Sequence, residues 1–383
     1  MKTRIIIFIT AFLFALNFLI PTTVLSSNGP PPAKQWKGPG EKIEFQSVPS
    51  MTIKDFLTGK KPERQVTISG TLNFPANAPE KNAPVVVLLH GWGGIRDANE
   101  HWLKVFNSMG LATFMVDSGW ARRNCKKDNN YKKAIAFCAG RNKGMNRIID
   151  GYRALELLSK HPRIDPDKIG CLGISLGARG CLHLNVKRFQ KMWGTPGLDY
   201  AASVPMYPPC NATFKDDDEI TDTPIRIHLG ELDTYFPVDS CVNYVARLKA
   251  KGKDVDIKVY PDAHHSFEAK IPGQKTGTKK VRHNDGRCYY EENPSLPVAE
   301  MAPDDVAIIS QIGFNEWYAS ATDKEKKKVF KSVNRPHKWG WRFPQFLFDK
   351  SCVTKSQTNA YNKEASEEAT KLIKGFLITT FKL

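Results

Sequence analysis

Beyond its first twenty residues the chain has no apolar run long enough to cross a membrane, so no later segment reads as a transmembrane helix. It has no phosphate-binding P-loop and no HExxH helix. That removes the usual signatures of nucleotide hydrolysis and zinc proteolysis. Paired carboxylates of the glycosidase kind are also missing. No two cysteines show C-x-x-C spacing with a matching His or Cys partner, so zinc is not indicated. There is no internal repeat, which excludes a solenoid. Basic stretches are not interleaved with aromatic residues, and no nucleic-acid partner is expected. Acidic residues are scarce, with 39 Asp and Glu against 56 Lys and Arg, a formal net charge of +17. This imbalance bears on partners and solubility, not on fold. The basic residues are densest at Arg122-Arg123 to Lys133, Lys275 to Arg287 and Lys324 to Lys331. They read first as a solvated surface, and second as an attraction to anionic envelope polymers, lipid headgroups or an acidic substrate.

The opening segment is distinctive. Met1-Lys2-Thr3-Arg4 is basic, and Ile5 to Ile20 is apolar apart from Thr10 and Asn17. Val24-Leu25-Ser26 then offers small residues before Ser27. Residues 1–26 are expected to be a cleaved signal peptide, giving a periplasmic or secreted protein with no transmembrane segment in the mature chain. An uncleaved anchor is the alternative, but the apolar stretch is short for a span. Residues 27–63 contain Asn28-Gly29-Pro30-Pro31-Pro32 and Lys37-Gly38-Pro39-Gly40, and read as an N-terminal extension or linker. Eight cysteines, an even number, suggest disulfides in an exported chain. Cys171 and Cys181 lie in strand and helix patterns and read as buried free thiols. Cys125, Cys138, Cys210, Cys241, Cys288 and Cys352 sit in polar sequence and are the bridge candidates. Cys125 with Cys138 and Cys288 with Cys352 are pairings suggested only by proximity.

With 41% apolar residues the chain can bury a sizeable core. Arg64 to Phe74 alternates apolar and polar residues and predicts an antiparallel strand with one wet face. Pro84 to His90, Leu111 to Val116 and Lys168 to Leu172 are instead continuously apolar, as strands buried on both faces are. Ala201 to Met206, Ile225 to Leu229 and Val255 to Tyr260 add three more. Helical patterns lie between them at Asn99 to Met109, Asn146 to His161, Ala178 to Lys187 and Val238 to Lys251. This alternation predicts an α/β domain over residues 64–383, with a mostly parallel central sheet and helices on both faces. From 269 to about 357 charge, Gly and Pro rise. The segment reads as an insertion, too long to be a plain loop, before a last helix from Asn359 to Leu377.

Gly173-Ile174-Ser175-Leu176-Gly177 follows a buried strand and precedes a helical run. Strand, G-x-S-x-G and helix together make a nucleophile elbow, in which a sharp turn lifts the serine hydroxyl above the sheet. A serine hydroxyl attacks only when a base takes its proton and a third group orients that base. The order Ser, acid, His along the chain is the one this arrangement uses. Asp233 follows the strand Ile225 to Leu229 and so sits where open α/β sheets place their sites. Glu231 and Asp239 are rival acids, the latter as a helix cap. His264 and His265 follow the next strand, and spacing alone does not choose between them. His161, His183, His228 and His337 read as structural. Backbone N–H donors for an oxyanion are expected from Leu176, after the nucleophile, and from Trp92 in the glycine-rich loop His90-Gly91-Trp92-Gly93-Gly94.

These segments, with Asp117-Ser118, Tyr207-Pro208-Pro209-Cys210, Gly230 to Asp233 and Tyr260 to Phe267, resemble the dienelactone hydrolase family of the α/β-hydrolase fold. The resemblance covers about Val66 to Phe267 and the final helix. The family's A-x-H-x-F pattern falls on Ala263-His264-His265-Ser266-Phe267, which implies His265 as the base. Relatives with a cysteine after the Tyr-Pro segment often carry another in the helix after the acid, which implies a Cys210–Cys241 disulfide. The chain departs from the name-giving enzymes in having Ser175 where they have cysteine, so their dienelactone substrate does not carry over. The segment after His265 also lies outside the family pattern.

The expectation is an exported serine hydrolase that cleaves a small-molecule or polymer carboxylic ester through Ser175, His265 and Asp233 and an acyl-enzyme. It needs no cofactor and no metal. A peptidase or acyltransferase on the same fold is the enzymatic alternative. A binding protein for anionic envelope polymers, with a vestigial triad, is the non-enzymatic one.

Overall fold

The computed structural model describes residues 38–51, 53–122, 144–236, 238–268, 277–284, 290–292, 322 and 354–383. An eight-stranded sheet forms its centre, in the order β1-β2-β4-β3-β5-β6-β8-β9. The strands are β1 (Glu41–Ser47), β2 (Val66–Asn73), β3 (Ala83–Leu89), β4 (Ala112–Asp117), β5 (Ile164–Ile174), β6 (Ala202–Met206), β8 (Ile225–Gly230) and β9 (Val255–Tyr260). The six strands from β4 to β9 in that order run parallel, while β2 is antiparallel to both β1 and β4. Every residue of β3 and β4 is buried. This is why their sequences are continuously apolar: a parallel strand covered on both faces has no wet side to mark with polar residues. The mostly parallel sheet is the one expected from the alternation of strands and helices, and the architecture is the α/β-hydrolase fold that the resemblance implies.

The described helices are α1 (Ile53–Leu57), α2 (Asp97–Ser108), α3 (Met145–Leu158), α4 (Leu176–His183), α5 (Lys187–Trp193), α6 (Val238–Ala250) and α7 (Lys363–Phe381). None is long and apolar enough to cross a membrane. The run Ala178 to Lys187, expected as one helix, is broken. Val186 takes an extended conformation and bridges Ile220, and the Asn185 amide donates to the carbonyls of Cys181 and Leu182. That side chain satisfies carbonyls a continuing helix would have used. The last helix begins later than its sequence pattern suggests. Asn362 caps it by accepting from the Ala365 N–H at 3.0 Å, and it runs on to Phe381. Asn359 instead ends a strand, β12 (Thr354–Asn359), antiparallel to β10 (Gly277–Asn284). A short strand β11 (Tyr290–Glu291) pairs with β7 (Ala212–Thr213). These are the described parts of the expected insertion. The expected extension contributes β1 and α1.

Cys210 and Cys241 form a disulfide. Cys171 and Cys181 also form one, which corrects the reading of both as free thiols. The tight turn at the end of β5 folds α4 back against its own strand and brings their Cα atoms to 5.7 Å, within bridging range. Cys125, Cys138, Cys288 and Cys352 lie outside the described residues, as do the segment 1–26 and His337.

Candidate active site

β5 ends at Ile174, and Ser175 turns the chain with φ +55° and ψ −114° before α4 begins. Non-glycine residues rarely adopt this conformation. It is held by the Ser175 N–H, which donates to the Met206 carbonyl on β6 at 3.0 Å. Close packing of the turn explains both flanking glycines. A Cβ on Gly173 would lie 2.1 Å from the Gly177 carbonyl oxygen, and one on Gly177 would lie 2.1 Å from that of Leu89. Neither neighbour is a side chain that can swing away.

The other expected residues converge on this turn from the carboxyl ends of β8 and β9. His265 Nε2 lies 3.2 Å from Ser175 Oγ, and His265 Nδ1 lies 2.7 Å from Asp233 Oδ2. Both His265 and Asp233 are buried. The second carboxylate oxygen, Oδ1, accepts from the N–H groups of Tyr235 at 2.7 Å and Phe236 at 3.2 Å. The acid is therefore fixed by the loop that carries it and presents one oxygen to the imidazole. This contact places the proton on Nδ1 and leaves the Nε2 lone pair facing the serine hydroxyl. The rivals lie elsewhere. Glu231 is exposed and accepts from the Asp262 N–H, and Asp239 sits in the first turn of α6. His264 directs Nδ1 to the Leu232 carbonyl at 2.9 Å.

The loop after β3 lies against the elbow. A Cβ on Gly91 would approach the Ile174 carbonyl oxygen to 3.3 Å and Ser175 Cβ to 3.5 Å. Trp92 follows and is 48% exposed. His90 is buried, and its imidazole Nδ1 lies 2.7 Å from the Gly91 carbonyl oxygen. Burial, helped by the nearby Arg147, pushes its pKa down to about 3. Leu176 supplies the first N–H of α4.

Several residues around His265 carry no signal in the sequence beyond their type. The Tyr235 ring stacks on His265, with centroids 4.2 Å apart and planes 21° apart. Tyr207 meets the same imidazole edge-on at 4.4 Å. Its hydroxyl donates to Glu268 Oε1 at 2.5 Å. Burial pushes the Glu268 carboxyl above the usual range. Asn359, at the end of β12, donates its amide to the Tyr235 hydroxyl at 2.6 Å and bridges His265 through the backbone. The aromatic pair after Asp233 was readable as composition, but its stacking on the histidine follows only from the fold. Of the suspected structural histidines, His183 bonds the Arg179 carbonyl, His228 the Tyr260 hydroxyl, and His161 the Arg163 N–H. Among the described residues no three His, Cys, Asp or Glu side chains are grouped to hold a metal ion.

The chain is similar to a thermophilic esterase from the planctomycete Thermogutta terrifontis. The native esterase structure shares 15% identity and covers 54% of this chain and 81% of its own, with a TM-score of 0.42. The same esterase phosphorylated by paraoxon covers 55% of this chain and 83% of its own, at 15% identity and a TM-score of 0.41. No curated protein matches the chain. The dienelactone hydrolase family model matches residues 68–286.

Proposed function

We propose that this chain, which belongs to the dienelactone hydrolase family, cleaves carboxylic esters through Ser175, His265 and Asp233. The observation that carries the reading is the contact series from Asp233 Oδ2 to His265 Nδ1, at 2.7 Å, and from His265 Nε2 to Ser175 Oγ, at 3.2 Å. It ends on a serine held at positive φ. Ser175 Oγ attacks the ester carbonyl while its proton passes to His265 Nε2. Asp233 keeps the imidazole in the right tautomer and stabilises the imidazolium. The N–H groups of Leu176 and Trp92 receive the charge that develops on the carbonyl oxygen. The proton on Nε2 then goes to the leaving alcohol, and water attacks the acyl-enzyme by the same route.

The substrate is a small-molecule or polymer ester met outside the cytoplasm. Removal of residues 1–26 gives a periplasmic or secreted protein, and a disulfide at Cys210–Cys241 suits an oxidising compartment. The net charge of +17 favours weak attraction to anionic envelope polymers.

A fluorophosphonate probe tests the reading directly. Wild type is expected to label and Ser175→Ala not to. Ester turnover should fall by about 10⁴-fold or more in the variant, with its circular dichroism unchanged. Equal turnover in the folded variant would remove Ser175 as nucleophile. Parallel assays of an ester and an amide with one acyl group separate the esterase from the peptidase reading.

A further inference from the structure

Arg147 stands in the first turn of α3 and is 2% exposed. Among the described residues it makes no ion pair. The carboxylate nearest in sequence, Asp150, is engaged by both terminal nitrogens of Arg122, at 2.7 Å each. Arg147 turns instead to one loop. Its Nε donates to the His90 carbonyl at 2.7 Å and its Nη2 to the Gly91 carbonyl at 2.8 Å. The His90 ring reaches the same Gly91 oxygen at 2.7 Å. Two acceptors would repel at that distance, so the proton is assigned to Nδ1, and the longer 3.3 Å approach of Arg147 Nη2 to that nitrogen is then a contact between two donors. The Gly91 carbonyl thus receives Arg147 and His90, and the Gly94 N–H adds a longer contact at 3.4 Å. The Nε2 of His90, then an acceptor, has no hydrogen-bond partner among the described residues.

The peptide that follows is Gly91–Trp92. It is trans, and a trans peptide is planar with its N–H pointing opposite to its C=O. Holding the carbonyl with a cation and an imidazole fixes that plane. It also draws electron density toward the oxygen and makes the N–H a stronger donor. Gly91 also lies beside the elbow, where a Cβ on it would come within 3.5 Å of Ile174 and Ser175.

We propose that Arg147 is a positioning residue for the reaction: its buried guanidinium clamps and polarises the Gly91–Trp92 peptide so that the Trp92 N–H stabilises the oxyanion formed by attack of Ser175. The inference rests on the esterase reading above. The cation never touches substrate. It acts through one backbone amide, and its effect belongs to the transition state rather than to ground-state binding.

The test compares Arg147→Gln and Arg147→Lys with wild type, using p-nitrophenyl butyrate and the fluorophosphonate probe. In Arg147→Gln, kcat is expected to fall about 10- to 100-fold with KM changed less than about threefold. Arg147→Lys, which keeps the charge but not the fork, should recover part of kcat. Inhibition by a phenylboronic acid, which mimics the tetrahedral state, should weaken in step with the loss of kcat. An α-hydroxy acid placed at position 92 removes the donor N–H. In that background Arg147→Lys should lose most of its remaining effect. Unchanged kcat in folded Arg147→Gln, or an effect of full size in the amide-less background, overturns the proposal. If Arg147→Gln does not fold, Arg147→Lys and the backbone cycle still decide it. A wild type that neither labels nor turns over ester overturns the esterase reading and this inference with it. An active wild type with insensitive variants overturns the inference alone.

Discussion

Ser175 holds a backbone conformation that costs a non-glycine residue on the order of 1–3 kcal/mol, and it does so where carbonyls crowd in from both sides. Gly173 and Gly177 accommodate that crowding, so a methyl group at either position has nowhere to go. Gly177→Ala should destabilise the protein by about 1–3 kcal/mol. It should also abolish fluorophosphonate labelling, because relief requires Leu89 and the elbow to separate. Thermal melts and labelling rates check both effects, and a variant that melts and labels like wild type would show that the turn is looser than its geometry. At this scale Gly173, Ser175 and Gly177 were legible because turn chemistry is local. The choice between His264 and His265 was not legible in the residues alone, since adjacent side chains on one loop differ only in where the fold points them. His264 meets the Leu232 carbonyl and His265 meets Asp233. Glu268 gave no signal at all: a single glutamate after a phenylalanine reads as surface, yet it is fully buried behind Tyr207.

Elements reach the site through the ends of the parallel strands, and one buried ion pair ties that edge together. Arg122, just beyond β4, makes two contacts with Asp150 on α3, donates to the Val48 carbonyl after β1 at 2.8 Å, and lies 3.1 Å from Ser47 Oγ. Ser47 donates to the same carboxylate at 2.5 Å. Asp150→Ala leaves a guanidinium buried without its partner and should cost about 3–5 kcal/mol, read as a lower urea midpoint at constant slope. A double variant that also replaces Arg122 with Met should lose less than Asp150→Ala alone. A larger loss would mean the pair itself, not the stranded charge, carries the stability. Strand positions were legible because complete burial writes itself as unbroken apolar runs in β3 and β4. Helix ends were less so. The break at Asn185 depends on a side-chain amide returning to the turn before it, which hydrophobic spacing does not record. Likewise β1 lies at the sheet edge and, among the described residues, pairs only with β2, so its proline-flanked sequence reads as linker until the partner strand is placed.

Across the whole molecule, buried histidines set the response to acid. His90, His183 and His228 are held neutral, with pKa values pushed from 6.5 to about 3, first by burial and then by neighbouring cations. The unfolded chain takes up protons at these groups below about pH 6.5, while the folded chain does so only near 3. Their contribution to stability is therefore complete above pH 6.5 and is lost as pH falls toward 3, by at most about 1.4 kcal/mol per histidine per pH unit. Glu268 has the opposite sign, because its raised pKa favours the fold in acid and is lost as pH rises through it. His101 is shifted in the direction of the other histidines and Asp217 in that of Glu268, both chiefly by burial. Four histidines outweigh two carboxyl groups, so the urea midpoint should drop steadily from pH 7 to pH 4. His228→Gln should make that drop shallower. A midpoint flat over the range would contradict the neutral assignment.

The expected insertion follows Glu268 and ends in β12, and the residues on its two sides meet. Asn359 bridges His265, the Asn362 N–H donates to the Phe267 carbonyl at 3.0 Å, and the Ser366 hydroxyl donates to the Glu268 carbonyl at 2.6 Å. Loop closure there is already complete within the core, so each doubling of the intervening length costs only about 0.6 kcal/mol. The position is thus a graft junction: descent can lengthen, trim or exchange what lies between without re-registering a strand of the central eight-stranded sheet, and any replacement is delivered beside His265.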